Sequence, residues 1–247
     1  MYKVIKPYKN LSTSKKEQVA LMFNNIAKSY DFLNHFLSLN IDKYWRRKTI
    51  KILKQSIKNS NDSVILDIAT GTGDLAIEAS KINPKKIIGV DISTKMLEIG
   101  QEKIKQKGLS NLIELKKGDA ENLTFENNFF DAIIVAFGVR NFENLSKGLS
   151  NMYRVLKPNG CVIILEFSKP KLFLIKNIYN FYFLKILPFF GNMFSKDKFA
   201  YNYLPNSVLN FPEANDFINE LNALGFVNTK YKKLTFGIAT IYWGFKK

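Results

Sequence analysis

Only one cysteine, Cys161, occurs in the 247 residues. A disulfide framework and a cysteine-rich metal site are therefore excluded, and the usage suits a reducing, cytoplasmic compartment. Histidine is equally scarce: His35 stands alone, so with no second histidine or clustered cysteine no metal site is expected. Both residues read as structural, Cys161 as filler within the apolar run 161–165 and His35 as a surface or packing residue. Residues 1–10 are basic but lack the apolar core and cleavage site of a secretory signal. Long hydrophobic runs are missing too, since 172–190 is interrupted by Lys176 and Lys185 and ended by Pro188 and Gly191, too short and too charged to span a bilayer. Acid is in deficit, with 21 Asp and Glu against 37 Lys and Arg and a formal net charge of +16. Such a balance favours nucleic acid, an anionic membrane surface or an anionic substrate without choosing among them; a solvated basic face is the bland alternative.

What is present is core-forming material: 46% hydrophobic residues with 14% aromatics is enough apolar surface to fold. Residues 14–58 read as helical. Ser14 and Glu17 make a capping box, and apolar side chains recur at Val19, Phe23, Ile26, Ala27 and Tyr30. A polar break at 59–62 precedes strand candidates at 64–69, 86–91, 112–117, 131–137 and 162–167, with helical patterns opening near 74, 93 and 144. This alternation predicts an α/β fold with a mostly parallel sheet covered on both faces. A last helix over 213–224 stops at Gly225, and two runs, 226–234 and 238–245, flank a turn with Gly237 and must be antiparallel. The simplest division is a helical lid or extension, 1–60, ahead of a main domain, 61–247.

The segment Leu66-Asp67-Ile68-Ala69-Thr70-Gly71-Thr72-Gly73-Asp74 leaves a strand and opens a helix, with Gly71 and Gly73 at the tight turn where backbone approaches a ligand. With Ala76, these glycines also satisfy the loose dinucleotide fingerprint. Asp91 closes the next strand, eighteen residues after Gly73, where a carboxylate accepts both hydroxyls of an adenosine ribose. Charge separates the two classes of ligand. A pyrophosphate wants a bare or basic helix start, whereas Asp74 puts a carboxylate there, which a cationic sulfonium tolerates better. Asp67 and Asp74 bracket the loop and are placed to pair with the ammonium or sulfonium side of such a cofactor, unless Asp74 only caps its helix. After the third strand, Asp119 is placed to hold the adenine amino group and Ala120 to offer its backbone amide. The cofactor expected is S-adenosyl-L-methionine.

Together these residues resemble the class I methyltransferase pattern, a Rossmann-like, mostly parallel seven-stranded sheet with one antiparallel C-terminal strand. Three stretches narrow the resemblance to the ubiquinone and menaquinone C-methyltransferase family: Tyr30-Asp31-Phe32-Leu33-Asn34-His35-Phe36-Leu37-Ser38 with its continuation through Asp42 to Trp45; Phe137-Gly138-Val139-Arg140-Asn141; and Arg154-Val155-Leu156-Lys157-Pro158-Asn159-Gly160, continuing to Glu166-Phe167-Ser168-Lys169-Pro170. The similarity runs from about residue 17 to the C-terminus. Departures are Leu33 for a usual Met, Asp42 for a usual His, Asn159 for a usual Gly, Ala69 for the first glycine of the general loop and Ala136 for a frequent Ser. The resemblance implies cofactor contacts at Thr72, Asp91, Asp119 and Ala120, with Gly71 and Gly73 forming the loop.

It also implies a substrate, a polyprenyl hydroquinone methylated at a ring carbon, demethylmenaquinol or a ubiquinone precursor. Arg140, just after the fourth strand, is the candidate catalytic residue, holding a phenolate or a deprotonating water; a plain salt bridge is its alternative. Tyr30, Asp31 and Asn34 are expected on a lid. The stretch 172–190 is expected to cradle a prenyl tail, lie in an anionic membrane interface, or pack as a lid helix. Two other functions stay open. An RNA methyltransferase would explain the charge, although no Asn/Asp-Pro-Pro-aromatic tetrad follows the fourth strand, and a non-catalytic cofactor-binding scaffold would keep the fold without the chemistry.

Overall fold

A computed structural model describes residues 5–182, 186 and 197–247. The chain opens with two helices, α1 (Lys15–Leu37) and α2 (Ile41–Ser56). The expected capping box is present: the Ser14 hydroxyl accepts from the Glu17 amide, and the Glu17 carboxylate accepts from the Ser14 amide. Leu39 and Asn40, at φ of 50° and 60°, turn the chain back from α1 into α2. Trp45, Ile50 and Leu53 of α2 then join the same apolar layer as the sheet.

The strands are β1 (Val64–Ile68), β2 (Lys86–Asp91), β3 (Ile113–Lys117), β4 (Phe130–Ala136), β5 (Leu156–Phe167), β6 (Phe226–Leu234) and β7 (Ala239–Lys246). Between them lie α3 (Asp74–Ala79), α4 (Thr94–Gln106), α5 (Leu145–Val155), α6 (Phe173–Phe181), α7 (Lys198–Leu209) and α8 (Asn215–Ala223). They form one seven-stranded sheet in the order β3-β2-β1-β4-β5-β7-β6. Pairs among β1 to β5 are parallel, and β7 runs antiparallel to both of its neighbours, as expected. The interiors of β1, β2, β4, β5 and β7 are buried on both faces because apolar layers cover each side, whereas the edge strand β6 is largely exposed. Among the described residues no helix is long and apolar enough to cross a membrane.

Two boundaries differ from expectation. β5 starts at Leu156 instead of 162, running through Pro158 and Gly160 with a register shift against β4; proline and glycine there read as loop, but a bulge accommodates them. In the stretch 172–190 the α-helix covers Phe173–Phe181, and Tyr182 and Ile186 are π-helical; Lys185, Pro188, Phe190 and Gly191 lie outside the described residues.

The strand order reverses between β1 and β4, which opens a crevice at their carboxyl ends. Gly138 sets how tightly that crevice is built. A Cβ there would come within 2.6 Å of the Ala69 Cβ and 3.0 Å of Val135 Cγ1. Gly138→Ala is therefore expected to cost about 1–3 kcal/mol, read by urea unfolding. A stability equal to that of the parent would mean that the two loops part freely.

Candidate active site

The turn after β1 alternates left-handed residues, with φ of 53° at Ala69, 57° at Gly71 and 81° at Gly73. Its amides are held from beneath. Thr70 N–H donates to the Val90 carbonyl (3.1 Å), and Gly71 N–H donates to Asp91 Oδ2 (2.8 Å), while Asp91 Oδ1 accepts from Ser93 N–H (2.8 Å). The Ile92 amide acts on the same carboxylate, which still leaves Asp91 lone-pair capacity for a ligand. Burial pushes its pKa above the ordinary range. Asp91 lines a cavity with Ala69, Gly71, Asp119, Ala120 and Phe137. Asp119 is set by its own turn, Oδ1 accepting from the Glu121 amide (2.9 Å), while Oδ2 meets Lys16 Nζ of α1 at 2.8 Å. The sequence showed Asp119 but not its basic partner, which comes from a distant helix.

Three predicted residues sit elsewhere. Asp67 lies fully buried under the loop, outside the cavity wall: Oδ2 accepts the Thr70 hydroxyl (2.7 Å), and Oδ1 has no hydrogen-bond partner. Burial pushes Asp67 up to about 7. Thr72 does not line the cavity with its side chain; its hydroxyl donates to Asp31 Oδ1 (2.6 Å) and accepts from Lys103 Nζ (3.0 Å). Asp74 takes Lys103 at 2.7 Å and Arg46 at 3.5 Å. Burial opposes the Asp74 charge, but Arg46 and Lys103 outweigh it and hold the pKa below the ordinary value.

His35 differs from expectation as well. It is neither a surface residue nor apolar packing: Nδ1 meets Asp42 Oδ2 at 2.8 Å and Nε2 lies 3.6 Å from Asp74. Periodicity along α1 could not reveal this, because the left-handed turn at Leu39 and Asn40 is what folds Asp42 back onto the histidine. His35, Asp42 and Asp74 thus come within metal-ligand distances of one another. Arg46 and Lys103 already pair with the two carboxylates.

A second, larger cavity adjoins the first, and Phe23, Tyr30, Phe137 and Asn141 line both. Its wall is largely apolar, with Met22, Ile26, Trp45, Phe167 and Ile238. Phe137, at φ 58°, is a strained non-glycine residue at the end of β4, the kind of position that recurs at functional sites. Arg140 stands in this wall. Its Nη1 donates to Glu166 Oε1 (2.7 Å) and to the Phe137 carbonyl. Glu166, wholly buried at the end of β5, also accepts from the Phe167 amide (2.8 Å). Burial raises the Glu166 pKa and the Arg140 charge pulls it back. The salt-bridge alternative for Arg140 is thus real, yet its Nε–H remains buried without a partner, as do Arg46 Nε, Asn141 Oδ1 and the Tyr203 hydroxyl, all in the wall of this cavity. Orphaned polar atoms are rare in folded proteins and cost roughly 1–3 kcal/mol each, and four of them belong to residues that line this one cavity. Arg46 and Tyr203 belong to none of the recognised motifs.

α1 closes both cavities. Tyr30 lines each, Asn34 lines the larger, and Asp31 reaches the loop through Thr72. The helix start is fastened by Lys15, whose Nζ donates to the carbonyls of Arg140 (3.0 Å) and Phe142 (2.7 Å). Burial pushes Lys15 down to about 8.

An adenosine-sized cleft joined to an apolar one at the reversal of strand order is what a transferase needs to bring two ligands together, and the sequence matches one family over residues 11–246. The chain belongs to the ubiE/COQ5 methyltransferase family. It is 48% identical over 239 residues to the demethylmenaquinone methyltransferase of Bacteroides fragilis, covering 96% of each chain. To the ubiquinone/menaquinone biosynthesis C-methyltransferase UbiE of Geotalea daltonii it is 46% identical, over 95% of this chain and 98% of that one. In fold it is similar to the [4+2]-cyclase SpnF, with a TM-score of 0.68 at 14% identity over 94% and 96% of the two chains. A SAM-dependent methyltransferase from Thermotoga maritima, described as a possible histamine N-methyltransferase, gives a TM-score of 0.63 at 18% identity, covering 92% of this chain and 100% of that one. These two show the class I methyltransferase fold.

Asp67 makes this methyltransferase's stability pH-dependent. With a folded pKa of about 7 against an ordinary 3.8, the folded state keeps a proton that the unfolded chain has lost, so stability falls as pH rises from about 4 to 7. Asp67→Asn keeps the Thr70 bond and removes that loss. Without ligand, the variant is expected to melt at the parent's temperature near pH 4 and several degrees above it at pH 8, at roughly 2–4 °C per kcal/mol. A difference that does not change with pH would mean that Asp67 titrates as an ordinary carboxylate.

Proposed function

We propose that this protein transfers a methyl group from S-adenosyl-L-methionine to an unsubstituted ring carbon of a polyprenyl hydroquinone, converting demethylmenaquinol to menaquinol, with a ubiquinone precursor as the second candidate acceptor. The observation that carries this reading is the apolar cavity with its orphaned polar atoms, which meets the cofactor cleft across Tyr30, Phe137 and Asn141. A quinol has that character, an apolar ring and tail with oxygens that need partners. The names of the Bacteroides and Geotalea relatives support the same substrate class.

The residues of the smaller cleft fit the cofactor. Asp91 offers its remaining lone-pair capacity to the ribose hydroxyls, Asp119 and Ala120 face the adenine, and Asp67 supports the loop from beneath through the Thr70 hydroxyl. When bound, the cofactor supplies a methyl group activated on a sulfonium. Thr72 serves the site by tying the loop to α1 through Asp31. Gly71 and Gly73 let the backbone approach closely at positive φ.

For the acceptor, the difficulty is that carbon is a weak nucleophile. A phenol ionises near pH 10, and only its phenolate pushes electron density onto the neighbouring ring carbon. Arg140 is the residue that stabilises that phenolate, with Glu166 fixing the guanidinium from behind. Tyr30, Asn34 and the rest of α1 keep water out of the reacting volume. Nucleic-acid methylation through a cysteine is disfavoured, because burial pushes the Cys161 thiol up to about 12.

The substrate's tail lies in a bilayer, and the larger cavity has a suitable border. The hydroxyl of Tyr182, just after α6, donates to the Leu37 carbonyl at the end of α1, and both residues line that cavity. The end of α1 exposes Phe36 and Leu39 (79% exposed), and α6 with the residue before it exposes Leu172, Phe173 (77% exposed), Leu174 and Ile178, beside exposed Lys171 and Lys176. Apolar side chains flanked by lysines suit an anionic lipid surface, in a chain whose net charge is +16.

Two experiments test these assignments. Mass spectrometry of reduced demethylmenaquinone, a ubiquinone precursor and bulk RNA incubated with S-adenosyl-L-methionine is expected to find methylated quinol and no methylated RNA; Arg140→Lys, which keeps the pairing with Glu166 but loses Nε–H, is expected to lower turnover at saturating cofactor by about 10²-fold. Labelled RNA with unmodified quinol would defeat the reading. Separately, co-sedimentation with anionic liposomes is expected to drop severalfold in Phe173→Glu/Leu174→Glu, and equal binding by parent and variant would sink the membrane contact.

A further inference from the structure

Tyr203 comes from α7, which carries none of the motifs that mark the cofactor or the family. Its side chain is buried, its hydroxyl makes no hydrogen bond, and it lines the larger cavity. A phenylalanine would pack at this position without that penalty, because the residue sits in an apolar cluster with Val19, Met22, Ile26 and Val208. Leaving a buried hydroxyl unsatisfied costs roughly 1–3 kcal/mol, so the oxygen needs a reason to be there.

The surroundings narrow that reason. Arg140 lines the same cavity, and its Nε–H is equally buried and equally without a partner. Arg140 and Glu166 are the two charges that act on the Tyr203 hydroxyl. Burial raises the Tyr203 pKa well above its ordinary value. The phenol therefore stays protonated, which makes it a donor and disqualifies it as a base.

We propose that Tyr203 is a second catalytic donor, its O–H and the Arg140 Nε–H holding the same quinol oxygen as that oxygen gives its proton to a water molecule and becomes phenolate. This rests on the quinol reading above. Two donors of different kind complement each other here, since the guanidinium brings fixed charge and the neutral phenol brings a hydrogen bond without adding buried charge. Both strengthen as negative charge gathers on the oxygen, so both act on the transition state more than on the bound quinol.

The test is Tyr203→Phe, assayed in the full chain with reduced demethylmenaquinone. Because only an unsatisfied hydroxyl is removed, the melting temperature of the free protein is expected to stay level or rise, and the affinity for S-adenosyl-L-homocysteine to stay unchanged. Turnover at saturating substrates is expected to fall by about 10²-fold. The loss is expected to shrink on a quinol carrying an electron-withdrawing ring substituent, whose phenolate needs less stabilisation; a purely structural role would not produce that dependence. Turnover within twofold of the parent, or a loss that is the same on both quinols, overturns the assignment while leaving the quinol reading intact. A parent enzyme that methylates no quinol overturns both.

Discussion

Glu166 is wholly buried and ionisable, and Arg140 is what allows it to remain in that position. Removing either partner would strand a charge in the interior, at a cost of roughly 3–5 kcal/mol. The pair contributes little net stability compared with an apolar substitute; its effect is to fix geometry. The Glu166 carboxylate joins the end of β5 to the turn after β4, and the second bond from Arg140, to the Phe137 carbonyl, holds the left-handed residue that separates the two cavities. With Nη1 occupied in this way, Nε is left buried without a partner in a residue that lines the larger cavity. One ion pair thus fixes the boundary at which the two cavities meet.

α1 depends on the same region at one end and on the glycine loop at the other. Lys15 fastens its first turn to the carbonyl of Arg140 itself. Further along, Asp31 bonds Thr72, Lys103 bonds Asp31, Thr72 and Asp74, and Arg46 links Asp74 to Asp42. These groups are charged and half-buried or deeper, so they hold strongly only while they hold together, since a partly satisfied buried network is costly. The helix that covers the cofactor cleft is therefore coupled to the loop beneath it, and Tyr30, between the two fastenings, touches both cavities.

The sheet was legible because its signals are local. Runs such as 86–91 and 162–167 end where turn residues begin, and a strand cannot be buried on both faces without reading as continuous apolar sequence. Gly71, Asp91, Asp119 and Ala120 were legible for a related reason: each lies at the end of a strand whose position in the sheet the alternation already implies. Side-chain direction was not legible. Thr72 has the right position but turns toward α1, and Asp67 lies beneath the loop that it was expected to line. Residues contributed by covering helices, Lys16, Arg46 and Tyr203, were missed altogether, because their role exists only once α1, α2 and α7 have packed over the sheet. His35 shows the same limit: its polar surroundings come from Asp42 and Asp74, which tertiary folding brings to it.

The departures from the family pattern follow physical rules of their own. Asn159 stands where a glycine is usual and adopts φ of 62°, the left-handed region that asparagine tolerates better than other residues with a Cβ. Leu33, in place of a methionine, is fully buried in the cluster beneath α1, where a swap of similar volume costs little. Asp42, in place of a histidine, is the consequential one. It adds a buried negative charge, which is tolerable because Arg46 pairs with it and Ser38 donates a hydrogen bond of 2.6 Å. Arg46 is thereby held between Asp42 and Asp74, its Nε buried without a partner. A substitution that looks like the loss of an imidazole therefore redistributes charge around the larger cavity, leaving His35 as the neighbour of both carboxylates and Arg46 as a cation in the cavity wall.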